Sequence, residues 1–214
     1  MTIVNNLDLE QLTLSRGSHF DPASGMCVME AASYVAGEPF SGRPECASPV
    51  IGVFLRNWND SLDDEARQML KPYVLKVVGT RGTPEQEAQR AWMAADWLVR
   101  VQAPAWLRLA GLVDQAELLE GMAELTPETV PSIKPALESV RKDARAAGDA
   151  AWDAAWDAAR VAAWVAAWAA AGAAAGDAAG DAAGAAAGAH LAPTVLDLQA
   201  RATELLDRMI EVTA

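Results

Sequence analysis

From Gly148 to Gly188 the chain keeps a beat of four: Gly148, Trp152, Trp156, Arg160, Trp164, Trp168, Gly172, Gly176, Gly180, Gly184 and Gly188. Most intervening residues are Ala, with Asp and Val among them. Ala is the strongest helix former, so the segment predicts long helix. Helical geometry also limits what the beat can do. Four residues overshoot a 3.6-residue turn, so each step advances about 40° round the axis. Trp152, Trp156, Trp164 and Trp168 therefore sweep roughly 160° and cannot form one straight stripe. Either they meet different neighbours or a helix pair wraps with right-handed sense. Rows four apart are also the ridges of steep helix crossings, and Gly in such a row lets another backbone come close.

Continuous helix across this segment would reach about 60 Å, against about 45 Å for a compact globule of this length. It should therefore project or break. The break is expected in the Gly half, because each Gly costs nearly 1 kcal/mol relative to Ala. The Trp half should be the firmer helix. Two readings stay open. One is expansion of a twelve-base repeat, since Ala, Gly, Asp and Val codons differ only at the second base. The other is an assembly face carried by the four Trp, which would make the protein a homo-oligomer. A flat Ala-rich binding surface fits poorly, because the phase drifts.

Helix signals dominate the rest. "MCVMEAASYVAG" reads as a short buried helix stopped at Gly37. Ser48 and Pro49 form an N-cap and first position for "SPVIGVFLRNWND", and Thr83, Pro84 and Gln86 open the next long helix. Ser61 and Asp64 suggest a capping pair for "SLDDEARQMLK", with Pro72 as a break. Pro104 should open a further element, and Thr126 another. After Pro193, Val195, Leu198, Ala202, Leu205, Met209 and Val212 make one apolar stripe on a closing helix. Only "TIVNNLDLEQLTL" alternates, and weakly. The expected fold is all-α: a multi-helix bundle with a long Ala-rich helix or helical hairpin near the C-terminus. Two domains are expected, residues 1–125 and 126–214.

The chain carries 29 acidic and 17 basic residues, a formal charge of −12. That opposes direct binding of nucleic-acid phosphates, which needs clustered Lys and Arg. It tolerates basic partners, up to mimicry of DNA in a basic cleft. The first residues show no basic and apolar leader, and only Cys27 and Cys46 occur, so a reducing cytoplasmic setting is expected. The uncharged run from Arg160 to Asp177 is too short and too weakly apolar to span a membrane. Phosphate-loop, dinucleotide, nucleophile-elbow and zinc-protease motifs are absent, and no cofactor is implied.

The stretch from Ser18 to Val50 has a different texture. It holds His19, Asp21, Cys27, Glu30, Tyr34, Glu38, Arg43, Glu45 and Cys46. Cys27 should sit in the first turn of a helix, where unpaired N–H groups lower a thiol's pKa. Glu30 and Tyr34 follow at helical spacing on the same face. A Glu on such an apolar helix needs a partner, and Arg16, Arg43 or Arg56 could supply it. Three readings compete: a core Cys beside a structural Glu30 ion pair, a ligand pocket formed by Glu30, Tyr34 and Arg43, and a Cys27 nucleophile with His19 as neighbour. Zinc through His19, Cys27 and Cys46 matches no standard spacing.

"SHFDPASGMCVMEAASYVAGEPFS", "CASPVIGVFLRNWND" and "AWMAADWLVRVQAPAWL" resemble a family of hypothetical proteins from actinobacteria and their phages. Those proteins share an HFDPxxGxCVMEA block, and an Ala-rich region before an "LLDRMI"-like helix. The resemblance covers most of the chain. It implies phage association and a small regulatory role, binding a host protein or sequestering a nucleotide signal. The leading expectation is thus a non-enzymatic helical binding protein. The alternative is a small-ligand pocket or a cysteine-dependent enzyme around Cys27, Glu30 and Tyr34.

Overall fold

The computed structural model describes residues 5, 7–147 and 173–212, with side chains of 173–190 excepted. All regular structure among them is helical. After a short 3-10 turn at Pro22–Ser24 come α1 (Val28–Ala36) and α2 (Pro49–Ser61). A second 3-10 turn, Ala66–Leu70, leads into α3 (Tyr73–Lys76) and α4 (Pro84–Trp97). A π-helical turn, Leu98–Gln102, joins α4 to α5 (Ala103–Leu109), and α6 is Val113–Glu120. Residues 130–147 are helical and are designated α7; α8 is Ala173–Ile210. No helix among the described residues is long and apolar enough to cross a membrane.

Contacts divide the chain into two compact units: Met1–Ala94 with Glu204–Ala214, and Ala95–Thr203. The division follows contacts rather than the compositional change near residue 125. In the first unit α1 is the central element, and eight of its nine residues are buried. Its small residues Ala31, Ala32 and Ser33 let α2 and α3 pack close against it. Ile51 and Leu55 of α2 and Val74 of α3 are fully buried, as are Leu205, Leu206 and Met209 at the end of α8. Each such side chain contributes about 1.5–3 kcal/mol through burial. In the second unit, Leu107, Ala116, Leu119 and Val140 form a cluster joining α5, α6 and α7.

The local signals act as their chemistry requires. Ser48 caps α2 by accepting the Ile51 N–H, with Pro49 in the first turn. Thr83 and Gln86 exchange hydrogen bonds across the start of α4. Gly37 ends α1 in the left-handed region, φ 70°.

Three expectations need correction. Ser61 does not open a helix: α2 runs through it, and Asp63 instead accepts the Ala66 N–H at 2.7 Å. Among the described residues the break expected in the Gly half does not occur, nor does a fresh start after Pro193. α8 runs unbroken through Gly176, Gly180, Gly184, Gly188 and Pro193. Ala between the glycines sustains propagation once the buried C-terminal turns have set the helix.

Candidate functional site

The residues that the sequence crowds between Ser18 and Val50 separate into two structures. The first is a lock. Cys27 is the N-cap of α1, and Glu30, three residues on, reaches back to accept its N–H at 2.8 Å. This is a capping box with Cys in the place of Ser or Thr. The same carboxylate accepts the His19 backbone N–H at 2.8 Å and the His19 ring Nδ1 at 2.7 Å. An ionised carboxylate only accepts, so Nδ1 carries the hydrogen. Glu30 is 1% exposed, yet three donors satisfy it. Burial alone would raise its pKa, but the N–H groups of Cys27 and His19 outweigh that and lower it.

The turn between His19 and Cys27 is shaped to make this contact. Asp21 accepts the Ser24 N–H at 2.8 Å. Gly25 has φ 123°, and a Cβ there would lie 2.8 Å from the His19 ring. The partner of Glu30 is therefore His19, whereas Arg16, Arg43 and Arg56 were expected to compete for that place. Arg16 and Arg43 are exposed, and Arg56 donates to the Gly42 carbonyl at 2.7 Å. Tyr34 is half-buried, and its carbonyl accepts from Asn5 Nδ2 and the Gly37 N–H.

Cys27 does not have the lowered pKa expected of a helix start. Burial pushes its thiol up to about 11, and the adjacent Glu30 carboxylate adds to the shift. Cys46 is buried as well, and desolvation with Glu38 nearby also raises it to about 11. Both thiols are free. Among the described residues no group of three or more His, Cys, Asp or Glu could hold a metal ion. Trp152, Trp156, Trp164 and Trp168 lie outside the described residues.

The second structure is a cleft of about 350 Å³ on the far side of Met29, ringed by Arg43, Arg56 and Arg81. It lies within the first unit. Each Arg comes from a different element. Arg43 is in the loop before α2, which Glu38 fastens by accepting the Glu45 and Cys46 N–H groups at 2.6 and 2.8 Å. Arg81 follows α3, and the Cys46 carbonyl accepts both its N–H and that of Gly79 at 3.1 Å. Thr80 Oγ1 accepts the Ser48 N–H at 3.0 Å, which joins the two loops a second time. Arg56 lies back along α2 over Gly52, where a Cβ would come within 3.2 Å of its Nη1.

The cleft concentrates positive charge in an acidic chain. Arg67 and Arg90 each pair with a carboxylate, Asp64 and Glu87. Among the described residues no ion pair joins Arg43, Arg56 or Arg81 to a carboxylate. Desolvation and then the neighbouring Arg43 charge lower the Arg56 pKa. The remaining lining is mostly apolar, with Met29, Pro49 and Val53 prominent. Of this ring, the sequence singles out Arg43 as a ligand-binding residue and Arg56 only as a partner for Glu30. Arg81 carries no local signal, since positions 43, 56 and 81 converge only in three dimensions.

No protein-family model, curated protein or solved structure matches this chain.

Proposed function

We propose that the protein is a non-enzymatic helical binding protein that takes a small anionic ligand into the Arg43–Arg56–Arg81 cleft. The observation that carries this reading is three guanidinium groups, none paired with a carboxylate, around one cavity of small-molecule size. Like charges held together repel, and an anion between them relieves the repulsion while accepting charge-assisted hydrogen bonds. The absence of a covalent step is supported by the state of the reactive groups. Cys27 is buried with a raised pKa, and Glu30 already accepts three hydrogen bonds.

Isothermal titration with inorganic phosphate, sulfate and benzoate tests the reading. Saturable binding is expected for at least one of them. Arg43→Ala and Arg56→Ala should each weaken it by about tenfold or more, the loss of roughly one charge-assisted contact. Binding should also weaken as salt rises, because two of the three cations are exposed. Equal binding by wild type and both variants would overturn the assignment, as would no saturable binding of any anion.

A further inference from the structure

Resting on that reading, we infer that the ligand is a phosphate monoester bearing a compact apolar group. Its phosphate would sit among the three guanidinium groups and its organic part against Met29, Pro49 and Val53. Three features of the cleft lead to this class.

The first is number and direction. A carboxylate is planar and presents two oxygens, which a single Arg fork satisfies. Here three Arg approach from the loop before α2, from α2 itself and from the loop after α3. A terminal phosphate presents three oxygens that do not share a plane, so each guanidinium can meet one. Its charge near −2 also offsets more of the three positive charges than a carboxylate would.

The second is the character of the walls. Inorganic phosphate would occupy only part of a 350 Å³ cavity and leave the exposed Pro49 and Val53 surface against water. Val53 is 51% exposed although it belongs to the helix that forms the cleft wall. An apolar substituent on the phosphate would cover that surface and gain from its burial.

The third is the polar inventory. Ser48 lines the cleft, but its hydroxyl donates to Glu87 and its oxygen also caps Ile51. Glu87 is occupied by Gly82, Arg90 and Ser48. Neither is free to read hydroxyl groups, so the organic part is recognised by shape and apolar contact. Gly52 is part of this design: with no side chain, it leaves room for Arg56 and the Met29 methyl beside the cavity.

The test compares phenyl phosphate, inorganic phosphate and benzoate by isothermal titration against the full-length chain. Phenyl phosphate is expected to bind at least about tenfold more tightly than either of the others. Val53→Ser, at a half-exposed position that does not threaten folding, should shrink the preference for phenyl phosphate over inorganic phosphate at least about threefold. Equal affinity for phenyl and inorganic phosphate would remove the apolar half of the inference. Equal affinity for benzoate and phenyl phosphate would remove the phosphate half. Either result leaves the anion-binding reading standing. Failure of all three anions to bind would overturn both.

Discussion

Glu30 shows how one buried charge organises its surroundings. A carboxylate at 1% exposure is tolerated only because the N–H groups of Cys27 and His19 and the His19 ring all point at it. Glu30→Gln turns one acceptor into a donor that faces donors. The expected loss is about 2–4 kcal/mol, read as a lower denaturant midpoint. An unchanged midpoint would contradict the lock. The same bonds fix a pH dependence. Because the folded pKa lies below the ordinary 4.5, the contribution of Glu30 is complete above that value and is lost as pH falls beneath it. The stability difference between wild type and Glu30→Gln should therefore shrink on acidification below pH 4.5. The thiols give a second check. With pKa values near 11, about one in a thousand is thiolate at pH 8. Native protein should react with a disulfide reagent at least about a hundredfold more slowly than unfolded protein, and fast labelling of Cys27 would oppose this account.

At the scale of elements, the block "HFDPASGMCVME" is a turn that delivers His19 to α1. Gly25→Ala should cost about 1–3 kcal/mol, from the positive φ and from the 2.8 Å approach to the His19 ring. Thermal denaturation reads it directly. Gly52→Ala separates stability from binding. It should gain up to about 1 kcal/mol of helix propensity while its Cβ pushes Arg56 away, so affinity for anions falls even if the melting temperature rises. Much at this scale was legible in the sequence. The caps at Ser48–Pro49 and Thr83–Pro84 and the stop at Gly37 act over three or four residues, and those residues alone specify them. The misread elements are those in which a local signal met a longer-range one. Ser61 resembles an N-cap, but it is the last residue of α2, and the Leu62 N–H bonds back to Trp58. Pro193 and four glycines weaken α8 without stopping it.

At the scale of the molecule, the first unit is completed by the end of the chain. Arg90 of α4 is 2% exposed and donates to the Met209 and Val212 carbonyls at 2.9 Å, while pairing with Glu87. It satisfies the last turn of α8, where the helix end is negative. Arg90→Ala leaves the two carbonyls without their side-chain donor and Glu87 without its ion-pair partner, and should cost about 3–5 kcal/mol. Lys76 and Asp207 also join α3 to α8, at 2.9 Å, but both are nearly half exposed. Lys76→Ala should cost less than about 1 kcal/mol. Equilibrium unfolding of the two variants distinguishes the buried tie from the exposed one, and similar losses would overturn that ranking.

The helical class, most helix starts and stops, and a buried Glu30 in need of a partner can all be read along the chain. These follow from the 3.6-residue period, from caps acting within one turn, and from the cost of burying charge. Packing made His19 the partner, shielded Cys27 rather than activating it, and brought Arg43, Arg56 and Arg81 round one cleft. Those outcomes depend on distances between residues far apart in the chain. Composition and periodicity carry no information about such distances until α1, α2 and α3 have packed.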